Sequence, residues 1–173
     1  MATYAIIGFG GAGFHALSAI RDADQAGTIH VYSEHADAPY NPMLTTYYAS
    51  NRLCYEGMFP FGDLDTIRAT YRAEIFSNTR ITALDADTRT LTLEDGTKRS
   101  YDKILLATGA RSFTPPIPIE CPEATVSMRT LDDARALKQI LEERDLKQAA
   151  VIGASMAGIK VAEVLHNNGV HVV

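Results

Sequence analysis

The residues best placed to do chemistry in this sequence are glycines. Gly8, Gly10 and Gly13 stand in the spacing G-x-G-x-x-G, with Gly11 and Ala12 completing the turn. A short apolar run at residues 4–7 precedes them, and helical spacing through Phe14, Leu17 and Ile20 follows. A second apolar run at 29–33 ends on Glu34, 21 residues past Gly13. Each part has a task in a dinucleotide site. Gly8 turns the chain sharply off the strand. Gly10 lets backbone approach a pyrophosphate with no Cβ in the way. Gly13 lets helix and strand pack closely. The helix start offers free N–H groups and a positive dipole end to phosphate, and Glu34 can accept hydrogen bonds from ribose hydroxyls. The glycines alone would also suit a plain turn in an ordinary α/β unit. The order strand, glycines, helix, strand, acid is what points to a nucleotide.

Two later stretches repeat this kind of chemistry. Ala107-Thr108-Gly109 ends an apolar run, where small residues let a ligand lie against backbone; a plain strand-to-loop turn is the alternative. Gly153-Ala154-Ser155-Met156-Ala157-Gly158 is a second fingerprint, with Ser155 at the second glycine position. No catalytic acid–base pair stands out. His15, His30, His35, His166 and His171 lack metal-ligand spacing and read as structural or surface residues. Cys54 and Cys121 form neither C-x-x-C nor a zinc pattern.

The elements that must position these residues follow from periodicity. After Glu34, residues 35–48 carry Pro39, Pro42 and several tyrosines, predicting a loop and a short helix over about 44–50. The tyrosines suit a flat ligand ring or simple packing. A helix is expected over 63–73, with Asp63 or Asp65 as N-cap, then a third parallel strand at 74–77. Alternation at 79–85, 90–94 and 98–101, with turn signals between, predicts an antiparallel meander. Residues 103–107 read as a buried strand. Four prolines within residues 112–123 mark a linker. Thr130-Leu131-Asp132-Asp133 opens a helix in the manner of a capping box, running to about Arg144. Residues 149–152 read as a strand, a helix follows through Val161, Val164 and Leu165, and residues 171–173 begin another strand.

Composition narrows the class. The 173 residues carry a net charge of −5 with no Lys/Arg run, which argues against nucleic acid or an anionic membrane as main partner. No apolar stretch approaches the roughly 18 residues of a spanning helix, and the N-terminus reads as a strand rather than a signal peptide. The expected compartment is cytoplasmic, with both thiols reduced.

Two fingerprints with YDKILLATGAR between them resemble the pyridine nucleotide–disulfide oxidoreductase superfamily. The resemblance covers essentially the whole sequence. It implies an α/β protein: a Rossmann-like FAD-binding domain with a parallel sheet and antiparallel meander over 1–111, a linker over 112–125, and the start of a second Rossmann-like domain, for NAD(P)H, over 126–173. It implies that Gly8, Gly10, Gly11, Ala12 and Gly13 meet the FAD pyrophosphate and that Glu34 holds the adenosine ribose. It further implies that Asn41 is cofactor-binding and that Ile81 sits by the adenine. By the same resemblance Ala107, Thr108, Gly109 and Arg111 look like a second FAD contact. Gly153, Ser155, Met156, Ala157 and Gly158 look like the NAD(P)H pyrophosphate turn.

Within the superfamily, PYNPMLTT is similar to a stretch of rubredoxin and ferredoxin reductases and of the nitrite reductase amino-terminal module. It departs from them at Pro42, where those proteins carry Arg, and at Thr45 or Thr46, where ferredoxin reductases carry Lys. The cysteine of the NADH oxidase branch is replaced near Met43. The implied function is hydride transfer from NAD(P)H to FAD and delivery of electrons to a protein or small-molecule acceptor, with a homo-oligomer compatible. Two other functions fit some of the same residues: an adenine-nucleotide-binding module without turnover, or an NAD-linked dehydrogenase using the first fingerprint for NAD. The sequence is expected to stop before the ribose-reading residue of its second nucleotide site, and the 173 residues alone are expected to be inactive.

Overall fold

The computed structural model describes residues 1–143 and 145–173. They form two compact units, Met1–Tyr40 with Phe59–Ala110, and Asn41–Met58 with Arg111–Val173.

The first unit is built on a four-stranded parallel sheet. Its strands are β1 (Thr3–Ile7), β2 (Thr28–Tyr32), β3 (Glu74–Phe76) and β7 (Lys103–Leu106), in the order β3-β2-β1-β7. Strand alternation sends Ile6, Ile29 and Val31 into one core, which they share with Phe14 and Leu17 of helix α1 (Gly11–Ala23) and Ile67 of helix α3 (Leu64–Tyr71). Ala5, Ile7 and Tyr32 enter a second core with Leu91, Leu93 and Tyr101. That core is closed by an antiparallel meander of β4 (Ile81–Asp85), β5 (Thr90–Leu93) and β6 (Lys98–Ser100). The central strand is therefore covered on both faces, and each large aliphatic side chain fully buried there contributes about 1.5–3 kcal/mol.

Asp63 caps α3 by accepting the Thr66 N–H at 2.7 Å. Buried Arg21 gathers the carbonyls where helices end: Nε donates to Tyr71 O at 2.7 Å, Nη1 to Asp24 O and Gly27 O at 3.0 Å, and Nη2 to Arg72 O at 2.9 Å. The expected buried character of residues 103–107 is corrected here. Among the described residues β7 pairs with β1 alone, and Leu105 and Leu106 are 40% and 59% exposed. Its apolar sequence is that of an inner strand, but in this structure it is an edge.

The second unit carries a 3₁₀ turn (Pro42–Leu44), helix α2 (Thr45–Ala49), helix α4 (Leu131–Glu143), helix α5 (Met156–Asn167) and the short parallel pair β8 (Gln148–Ala149) and β9 (His171–Val172). The capping box forms: Thr130 Oγ1 accepts the Asp133 N–H at 3.1 Å, and the Asp133 carboxylate accepts the Thr130 N–H at 2.8 Å. The expected end of α4 at Arg144 lies outside the described residues. The strand expected at 149–152 is shorter than its apolar run. Its pairing ends with Val151 N–H on Val173 O at 2.9 Å, and Ile152 is exposed.

Candidate functional site: a glycine cradle at the strand ends

Three parallel strands deliver the first fingerprint to one place. The Gly8 N–H donates to Tyr32 O at 2.8 Å, and the Ala107 N–H donates to Ile7 O at 2.7 Å. The C-terminal ends of β1, β2 and β7 are thus tied around Gly8. Gly8 has φ +97°, and a Cβ there would lie 2.2 Å from Ala107 O. A Cβ on Gly13 would lie 2.1 Å from Gly8 O. Both positions need glycine to satisfy the protein's own packing. Gly10 and Gly11 are different, because a Cβ on either meets nothing within 4 Å. Gly10 is the N-cap of α1 with no side-chain cap, and the first turn holds no acid. The helix start therefore presents uncancelled N–H groups and positive dipole to open space. Ala12 is exposed beside them. A cradle closed behind by backbone and open in front fits a nucleotide pyrophosphate.

Glu34 stands just past β2 with its side chain 57% exposed. Its carboxylate Oε1 lies 3.9 Å from Arg80 Nε. Arg80 carried no signal in the sequence; its placement depends on the chain after β3 running back alongside 33–35. Ile81 begins β4, pairs with Leu93 and packs on the second core. Ala107 packs against the first core, while Gly109 adopts φ +70° in open space. The structure thus gathers Gly8, Gly10, Gly11, Ala12, Gly13, Glu34, Ile81, Ala107, Thr108 and Gly109 into one unit.

Beneath this edge runs a polar chain that sequence reading missed. His30 Nδ1 meets the Tyr101 hydroxyl at 2.8 Å, Tyr101 meets the Tyr32 hydroxyl, and Arg99 Nη1 donates to Tyr32 Oη at 3.3 Å. Burial, then the Tyr32 hydroxyl, pushes Tyr101 far above the ordinary phenol range. Burial lowers His30, with Glu74 opposing and Arg99 adding to the effect. Residues about 70 positions apart in sequence meet here, and no local pattern could have paired them.

The remaining expected site residues, Asn41, Arg111, Gly153, Ser155, Met156 and Gly158, belong to the second unit. Its turn repeats the first one: Gly153 has φ +111°, and a Cβ on Gly158 would lie 1.9 Å from Gly153 O. Ser155 adds a cap, its hydroxyl accepting the Gly158 N–H at 3.4 Å. Asn41 Oδ1 caps the 3₁₀ turn by accepting the Met43 N–H at 3.0 Å. Met43, in place of the branch cysteine, is 73% exposed. Two of the tyrosines serve packing. Lys138 sits 4.7 Å from the Tyr48 ring centroid and Arg135 sits 5.4 Å from that of Tyr55, so α4 holds this segment by cation–π contacts. Cys54 and Cys121 are free and exposed, and no group of metal ligands occurs among the described residues. No helix among them is long and apolar enough to cross a membrane.

Comparison with known proteins agrees with this geometry. The chain is 37% identical over 168 residues to an NADH-dependent phenylglyoxylate dehydrogenase subunit epsilon of Aromatoleum evansii, covering 96% of this chain and 38% of the relative. It is 32% identical to an NADH oxidase of Methanocaldococcus jannaschii, covering 97% of this chain and 38% of the relative. It is 30% identical to the ferredoxin–NAD(+) reductase component of a biphenyl dioxygenase system of Paraburkholderia xenovorans, covering 98% and 41%. The chain thus spans about two-fifths of these relatives. Among solved structures, an NAD-dependent persulfide reductase from A. fulgidus superposes with a TM-score of 0.91 at 26% identity, over 98% of this chain and 32% of that one. Putidaredoxin reductase, in covalent complex with putidaredoxin, gives 0.86 at 25%, over 99% and 41%. The family model for pyridine nucleotide-disulphide oxidoreductases matches residues 2–173. The chain belongs to the pyridine nucleotide-disulphide oxidoreductase family.

Proposed function

We propose that the full-length protein is a flavin-dependent NAD(P)H oxidoreductase that delivers electrons to a protein or small-molecule acceptor. In this reading residues 1–111 serve FAD, 112–125 link, and 126–173 begin the NAD(P)H domain. Bound FAD supplies the hydride-accepting and electron-releasing chemistry. The chain's own residues bind and orient. Gly10, Gly11 and Ala12 bring the free N–H groups of α1 to the pyrophosphate. Gly8 and Gly13 keep that turn closed against the sheet. Glu34 accepts from the ribose hydroxyls, and Ile81 lies by the adenine. Ala107, Thr108 and Gly109 add a second FAD contact within the first unit, and Arg111 and Asn41 are assigned to FAD by the family resemblance. Gly153, Ser155, Met156 and Gly158 hold the second nucleotide. The relatives' names speak of an oxidase, a ferredoxin reductase component and a dehydrogenase subunit, so the family accommodates several acceptors.

The observation that carries this reading is the split among the glycines. Gly8 and Gly13 are required by the fold, while Gly10 and Gly11 face empty space. Gly10→Val tests it, because φ −86° and ψ −163° at that position suit a β-branched residue. The variant is expected to melt like the wild-type apoprotein and to lose flavin. Full flavin content in Gly10→Val would contradict the assignment of the cradle.

A further inference from the structure

Arg80 is fixed beside Glu34 by backbone. Past β2 and β3 the two chain segments stay zipped: the Ser33 N–H donates to Phe76 O at 2.9 Å, the Thr79 N–H to Ser33 O at 2.8 Å and the Asn78 N–H to His35 O at 3.4 Å. Asn78, at φ +52°, turns the chain so that Arg80 enters β4 next to the acid. The Glu94 N–H, donating to Arg80 O at 3.0 Å, anchors that entry to the meander. The guanidinium meets Glu34 Oε1 through Nε at 3.9 Å. This contact engages one carboxylate oxygen and leaves Oε2 for another donor.

We propose that Arg80 is a positioning residue for the first nucleotide: it holds the Glu34 carboxylate in place through one oxygen while the other accepts from the ribose. The proposal rests on the reading of the first fingerprint as the FAD site. Two physical effects support it. An exposed glutamate on its own loses rotamer freedom when it binds a hydroxyl, and a neighbouring cation reduces that cost in advance. A bare carboxylate near a doubly charged pyrophosphate also repels it, and a guanidinium beside the acid offsets the repulsion. Arg80 acts through Glu34 and is not itself a catalytic group.

The test is a double-mutant cycle on full-length apoprotein titrated with FAD, using wild type, Arg80→Gln, Glu34→Gln and the double variant. Arg80→Gln is expected to weaken FAD binding about two- to fivefold when Glu34 is present, and by less than about 1.5-fold in the Glu34→Gln background, the range for a partly exposed charge pair. Arg80→Lys should recover most of the loss, and added salt should narrow the gap between wild type and Arg80→Gln. Equal losses in both backgrounds, or no loss in either, would overturn the proposal. So would a loss matched by a lower apoprotein melting temperature, which would mark Arg80 as structural. Wild-type protein that takes up no FAD would instead remove the underlying reading, and the proposal with it.

Discussion

At the scale of single residues, glycines with the same side chain do opposite jobs. Gly8 combines φ +97° with a backbone oxygen 2.2 Å from its absent Cβ. Gly8→Ala is therefore expected to lower stability by at least about 3 kcal/mol, since strain and overlap act together. Denaturant unfolding would show it as a reduced midpoint. Glu34, exposed past β2, lies outside the core, and the proposed function gives it a role in binding. Glu34→Ala should weaken FAD retention by about 1–3 kcal/mol, the scale of a charge-assisted hydrogen bond. Glu34→Gln should cost less, because its amide keeps one acceptor. Equal flavin content after purification of wild type and Glu34→Ala would count against the ribose assignment. Cys54 is exposed and free, without a thiol partner. Cys54→Ser is expected to leave NAD(P)H-dependent turnover within a few-fold of wild type, and a hundredfold loss with flavin still bound would place the thiol in the reaction.

At the scale of elements, Arg21 and His30 show how distant segments are joined. Arg21 satisfies carbonyls at the ends of both α1 and α3. Arg21→Met would leave those part-buried oxygens without a side-chain donor and should cost about 1–3 kcal/mol, read by chemical unfolding. His30 makes stability depend on pH. Burial holds its folded pKa below the ordinary 6.5. The unfolded chain therefore binds more protons as pH falls through that value, and stability is present above it and lost below. The carboxylates with lowered values, Asp24, Asp63, Asp85, Asp95, Asp102 and Asp133 from an ordinary 3.8 and Glu163 from 4.5, lose their contribution at lower pH than His30 does. A fall in the unfolding midpoint between about pH 7 and 5 that shrinks in His30→Gln is expected; an unchanged slope would contradict it.

The same two residues mark what the sequence could reveal. The β1-α1-β2 unit, the meander and both helix caps were legible, because alternation, helical spacing and capping chemistry are local. The open side of Gly10 was legible for the same reason. Arg80, Arg21 and the Tyr32–Tyr101–His30 chain were not, since each depends on segments meeting across the sheet. β7 misled because its apolar residues report an inner strand, whereas exposure depends on which neighbours flank it. The cation–π seating of Tyr48 and Tyr55 on α4 was equally a matter of tertiary placement.

At the scale of the whole molecule, two turns of one design occur in one chain. The pair Gly8 and Gly13 is repeated by Gly153 and Gly158, with a positive φ at the first glycine and sub-contact spacing at the second in both. A repeated turn of this kind suits the proposed function, in which hydride passes between two bound nucleotides. Because the chain spans 38% of its first two relatives, that exchange is to be measured on the full-length protein. The most direct measurement is anaerobic mixing of purified full-length protein with NADH, and in parallel with NADPH, while the flavin absorbance is followed. The account predicts about one FAD per chain, bleached by at least one of the two nucleotides and restored when an electron acceptor is added. Bound flavin that stays oxidised with both nucleotides, or protein that takes up no FAD, would contradict it.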